Sequence, residues 1–340
     1  MLHSRPVRAA AVAALSLMAA CSGGKTGGTS GKKTFRIALI AKSSSNPVFL
    51  YARAGAEAAA AELSKTDSVD ITIDWLTPPD EDGTVQAQRI AEAVNAGDNA
   101  IILSASDAGK VTGAINDAVA RGVPVMMFDS DAPESKRFAF YGADDLALGH
   151  EVMSELAAQM NDKGKVAILA GNQNAPNLQK RVQGVKEEAA KYPGITILGV
   201  FNHAETPQDA AAEVLRASDA NHDIQGWAMI GGWALFTKAL LSDHDLDPKK
   251  VKIVSVDALG PELPYVASGL APVLLAQPCY LWGDVSVRTV IDHVLLHKQT
   301  PEFLPMQLVR VTKENLGDWA RQLKAWGATD VDSVYLKMTK

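Results

Sequence analysis

Disulfides cannot organise this chain. It has only 2 cysteines, Cys21 and Cys279, in 340 residues. A folded state must therefore rest on a buried apolar core, and a chain of this length can build one. Basic charge is also short: 33 Lys and Arg stand against 39 Asp and Glu, a formal net charge of −6. That balance argues against a nucleic-acid partner, because phosphate binding needs a basic surface. No apolar run reaches the roughly 20 residues of a membrane-spanning helix. The G-x-S-x-G, P-loop and H-E-x-x-H patterns are missing, so an enzyme is not expected. His293 and His297 share one face of an expected helix, but two ligands without a third do not make a metal site. Neither a metal nor another cofactor is expected.

What is present starts with a targeting segment. Arg5 and Arg8 precede the apolar stretch 9–20, and residues 1–20 read as a signal peptide. The stretch ends in Leu17-Met18-Ala19-Ala20-Cys21. This resembles the lipobox of bacterial lipoproteins, although Met18 stands where Leu is usual. The resemblance implies that Cys21 becomes the lipidated N-terminus and anchors a periplasmic or cell-surface protein to its membrane. Loss of Arg5 and Arg8 with the leader lowers the formal charge from −6 by two, to −8. Residues 21–33 then serve as the lipidated end and a flexible tether, SGGKTGGTSGKK from 22 on, with nothing to bury. If Cys21 is acylated, Cys279 has no partner within the chain.

The body alternates strand and helix patterns, which predicts an α/β fold with parallel sheets. Strands are expected at 35–41, 69–76, 100–103, 123–128 and 138–141. Helices are expected at 47–63, 84–96 and 108–121. The pattern then begins again, with helices at 146–160, 178–192, 207–217 and 234–242. Its strands fall at 165–170, 195–201, 226–230 and 252–256. Each half closes on a strand that ends in Asp: VPVMMFDSD places Asp129, and VKIVSVDAL places Asp257. Alone, Asp129 and Asp131 read as turn residues. Taken together, Asp129 and Asp257 stand at strand ends, where open α/β sheets bind ligands. A strand at 272–276, a helix at 281–297, an extended stretch at 303–311 and a helical tail at 313–340 complete the chain.

Five segments carry a family resemblance: AKSSSNPVFLYARAGAEAAA (41–60), GVPVMMFDSDAPESKRFAFYGADD (122–145), NLQKRVQGV (177–185), VSVDAL (254–259) and LLAQPCYLWGD (274–284). In this order the chain resembles type I periplasmic sugar-binding proteins, the ribose-binding-like receptors of ABC importers. The resemblance implies two Rossmann-like lobes joined by a three-crossing hinge. It puts 34–142 and 279–304 in the N-terminal lobe, and 143–278 and 305–340 in the C-terminal one. The crossings fall near 143–144, 277–278 and 305. The family's ligand positions fall on Lys42, Asn46, Phe49, Asp129, Arg181, Asp257 and Gln277, and the first position of its aromatic pair on Val48. Ser130 stands where many relatives carry Arg. Ile230-Gly231-Gly232-Trp233 stands where ribose receptors carry Asn-Asp, so ribose itself is not the expected ligand.

These residue types suit a polyol. Carboxylates accept from hydroxyls, Arg donates in a planar fork, and Asn and Gln do both. Phe49 and Trp233 offer faces for a sugar ring, and Asp129 or Asp257 is expected to pair with a buried Arg181. Each residue also has a plainer reading: Asn46 as a helix cap, Arg181 as a solvated helix residue, Trp233 as core, Gln277 as a loop bond. The resemblance implies a monomer that delivers a sugar to the membrane subunits of an ABC permease. The alternative is a receptor that hands its closed form to a membrane signalling or chemotaxis sensor. The leader and the lack of a helix-turn-helix before Phe35 argue against a LacI-type repressor.

Overall fold

The computed structural model describes residues 32–66, 68–243 and 246–339. The expected signal peptide, Cys21 and most of the expected tether lie outside the described residues. The first half of the body runs β1 (Lys33–Ile40), α1 (Pro47–Thr66), β2 (Val69–Trp75), α2 (Gly83–Ala96), β3 (Ala100–Leu103), α3 (Ala108–Ala120), β4 (Val125–Phe128) and β5 (Ala139–Gly142). The second runs α4 (Asp145–Gln159), β6 (Lys163–Ala170), α5 (Pro176–Ala189), β7 (Gly194–Asn202), α6 (Pro207–Ala220), β8 (Ile224–Met229) and β9 (Lys252–Val256). It continues through α7 (Leu263–Ser268) and β10 (Val273–Ala276). Then come α8 (Cys279–Val294), β11 (Phe303–Pro305), β12 (Val309–Val311), α9 (Leu316–Ala325) and α10 (Ser333–Leu336).

Two sheets result. One has the order β11-β5-β4-β3-β1-β2, the other β12-β10-β9-β8-β6-β7. Pairing is parallel throughout, except that β12 runs antiparallel to β10. Strands β3, β4 and β10 are buried along their whole length, as strands covered on both faces by helices must be. Their continuous apolar sequences follow from that cover.

Local chemistry fixes the helix starts. Asp82, Asp107, Asp144 and Thr206 each accept backbone N–H groups at the open end of α2, α3, α4 and α6, which satisfies donors that a helix leaves bare. The small residues of α1 do more than cover a sheet: they admit another helix. A Cβ built on Gly283 of α8 would lie 1.8 Å from the Ala52 carbonyl oxygen, so α1 and α8 meet backbone to backbone.

The chain passes between the sheets three times: after β5, after β10, and between β11 and β12. The expected extended stretch 303–311 is thus two strands in two sheets. The helix expected at 234–242 is instead two 3-10 turns, Trp233–Phe236 and Ala239–Ser242. Thr237 between them is extended, with φ −118° and ψ 170°, and Tyr265 Oη donates to its carbonyl at 2.6 Å. That bond holds the break. The tail docks through Trp319 on α9, whose indole N–H donates to the Ala258 carbonyl at 2.7 Å.

Candidate functional site

Both strand-end carboxylates leave their sheets on a left-handed residue. Asp129 has φ 55° and Asp257 φ 93°. Non-glycine residues held there cost on the order of 1–3 kcal/mol each and persist only where their surroundings dictate them. Asp129, after β4, accepts from Ser104 Oγ at 2.7 Å and from Asn177 Nδ2 at 3.2 Å. Asp257, after β9, accepts from the Gly232 N–H and from Gln277 Nε2, both at 2.9 Å. Burial raises the Asp257 carboxyl above its ordinary range, although Arg181, the Gly232 N–H and Gln277 oppose the shift.

Arg181 projects from α5 between them. Its side chain is 3% exposed, and Nε meets Asp145 Oδ1 at 2.8 Å. Nη1 donates to the Ile230 carbonyl at 3.1 Å and Nη2 to Gln277 Oε1 at 3.0 Å. The sequence points to Asp129 or Asp257 as the ion-pair partner; the contact is made instead by Asp145, at the start of α4. Asp129 and Asp257 act on Arg181 only through their field, and with Asp145 they hold the guanidinium charged against the cost of burial. Asp145 itself is pushed up to about 6 by burial, against the pull of Arg181. The approach of α4 to α5 makes the pair possible: a Cβ on Gly184 would lie 2.2 Å from the Leu146 carbonyl oxygen.

Lys42, after β1, is 2% exposed. Its Nζ donates to Asn177 Oδ1 at 3.4 Å and lies 3.9 Å from Glu81 Oε1. Burial alone would lower its pKa; Glu81, Glu205 and Asp129 override that and leave it raised. Asn177, on the second half, thus joins Lys42 and Asp129 of the first. Asn46 Oδ1 accepts the Val48 N–H at 3.2 Å, so it does cap α1, in keeping with its plainer reading.

Lys42, Asn46, Phe49, Asp129, Arg181, Trp233, Asp257 and Gln277 all line one cavity of about 20 Å³, which is room for a water molecule. Ser130 is buried close by but does not line it. Phe49 stacks on Trp282 with ring centres 6.1 Å apart, and His203 meets Trp233 edge-on at 5.0 Å. The lining also includes Asn177, Glu205 and Trp282, which no sequence pattern singles out as ligand residues. Asn177 lies one helical turn before Arg181, a spacing that shares a face. Outside this cavity opens a polar cleft of about 950 Å³, lined among others by Glu81, Asp107, Asn172, His203 and Glu205. Among the described residues, no group of His, Cys, Asp and Glu could hold a metal ion, and no helix is long and apolar enough to cross a membrane.

Comparison with known proteins agrees with this architecture. A family model described as a periplasmic binding protein domain matches residues 37–298. The D-apiose import binding protein of Actinobacillus succinogenes is 27% identical over 191 residues, which cover 56% of this chain and 59% of that one. The ribose import binding protein of Bacillus subtilis is 26% identical over 175 residues, 50% of this chain and 55% of that one. The chain thus spans little more than half the length of these curated relatives. A solved ABC-transporter solute-binding protein from Burkholderia graminis, in complex with D-arabinose, matches with a TM-score of 0.77. It is 22% identical, with 84% of this chain and 97% of that one covered. The two sheets and their crossings have the type I periplasmic binding protein fold.

Proposed function

Because the chain belongs to the periplasmic binding protein family, we propose that it captures a sugar or sugar-like polyol between its two lobes and delivers it to an ABC import permease. The observation that carries this reading is the buried polar set around Arg181, Asp129 and Asp257, flanked by Phe49 and Trp233. In the form described, these groups satisfy one another. Asp129 and Asp257 spend their oxygens on Ser104, Asn177, Gly232 and Gln277. A polyol entering an opened cleft offers the same mix of donors and acceptors and can replace those bonds without leaving a buried charge bare. The rings cover the apolar face of a sugar. In this reading no covalent bond is made or broken, and the protein binds and releases its ligand unchanged.

Cys21 takes the lipid in this reading, and the tether to residue 33 holds a monomeric receptor near the permease. The test is a thermal-shift screen of the mature protein against neutral monosaccharides and pentitols. A true ligand at about 100 times its dissociation constant adds about 2.7 kcal/mol of stability. Absence of any shift across the panel at millimolar concentration would reject the sugar reading.

A further inference from the structure

Glu205 stands where the two cavities meet. Among the described lining residues it alone borders both the inner cavity and the outer cleft. It is 4% exposed, and its backbone is held at φ 60°. Its Oε1 accepts the Asn172 N–H at 2.7 Å, and its own N–H donates to His203 Nδ1 at 2.9 Å. The side chain needs the bare backbone of Gly171, where a Cβ would lie 2.4 Å from Oε1.

Glu81 comes to the same place from the other half, in the loop before α2. Its Oε2 accepts from Asn172 Nδ2 at 3.3 Å. Its Oε1 is buried and has no hydrogen-bond partner among the described residues. Asn172 ties the two carboxyls together, its N–H on Glu205 and its side-chain amide on Glu81. Lys42, 3.9 Å from Glu81 Oε1, is one cation against two carboxyls; one shared proton removes the remaining repulsion and gives that oxygen a hydrogen bond.

We propose that Glu81 and Glu205 form a one-proton site that exists only when the two halves close, so that closing takes up a proton. The inference rests on reading this cleft as a closing ligand site, but not on which ligand fills it.

The surrounding charges agree. Lys42 faces the pair from the inner side, with Asp129 in its field, and Lys110, Asp80, Asp82 and Asp107 line the outer cleft beside it. His203 supplies no further cation, because burial holds it down to about 4 against the pull of Asp209, Glu213 and Glu81. Burial raises the Glu205 carboxyl well above its ordinary range; Lys42 opposes this and Glu81 adds to it. In an open cleft the Glu205 carboxyl faces water and titrates near the ordinary value of about 4.3. Between that value and the raised one, closing binds a proton. Each unit rise in pH there lowers the ratio of closed to open protein by about tenfold. Below the ordinary value the open form is protonated as well, and closing no longer gains a proton.

Small-angle scattering of the ligand-free protein from pH 5 to pH 8 tests this. The wild-type radius of gyration should grow as the pH rises. Glu205→Gln keeps a donor and cannot ionise, so it should stay near the low-pH radius throughout, and Glu81→Gln should do the same. A wild-type radius indifferent to pH would overturn the proposal, as would two folded variants that both follow the wild-type curve. No sugar enters the experiment, so its outcome does not depend on that of the sugar screen.

Discussion

At the residue scale, Arg181 shows what a sequence can and cannot reveal. Its place in the pocket was legible as a helix residue three before Gly184 in a familiar segment. Its partner was not, because Asp145 lies 36 positions away and only the packing of α4 on α5 brings it there. Glu205 was hidden for a similar reason. It sits just before the cap of α6 and reads as a loop acid until the fold puts it against Glu81. Asp145 does not line the cavity, yet it orients the guanidinium that does. Arg181→Ala and Asp145→Ala should each weaken sugar binding by roughly 2–5 kcal/mol, because each leaves a buried charge without its partner. The double variant should lose little more than either alone. Calorimetry on the three proteins is the check, and additive losses would mean that the two side chains act separately.

Among elements, the strands were the most readable. Their apolar runs and the Asp that ends two of them need no knowledge of the fold. The helix expected at 234–242 failed because its break depends on Tyr265, far along the chain. Helix contacts were also invisible to periodicity. Gly184 and Gly113 look alike in sequence, both inside helices, yet their surroundings differ. A Cβ on Gly184 would meet the Leu146 carbonyl at 2.2 Å, whereas one on Gly113 meets nothing within 4 Å. Gly184→Ala should therefore destabilise the fold by about 1–3 kcal/mol through forced separation of α4 and α5. Gly113→Ala should stabilise α3 by about 0.5–1 kcal/mol. Urea unfolding of both variants distinguishes the cases; equal effects would deny the close helix contact.

At the scale of the whole molecule, the internal duplication was legible but the shut state of the cleft was not. The halves are held together by polar bonds that no pattern encodes. Asn172 is the clearest of them. It belongs to the loop after β6, and its amide donates to the Ser106 carbonyl and to Glu81 Oε2, both at 3.3 Å, across the cleft. It does not line the inner cavity. Its side chain can therefore affect a ligand there only by biasing closure. An apparent dissociation constant is the intrinsic one divided by the fraction of competent protein. Loss of a hydrogen bond or two, at a net 0.5–1.5 kcal/mol apiece, should shrink that fraction. Asn172→Ala should thus bind a sugar found by thermal shift about threefold to tenfold more weakly. Scattering should show a larger ligand-free radius for the variant and the same radius as wild type at saturation, since ligand restores the closed population. A variant whose affinity falls while both radii match wild type would place Asn172 in direct contact with the ligand instead, and an unchanged affinity would remove it from the closing machinery.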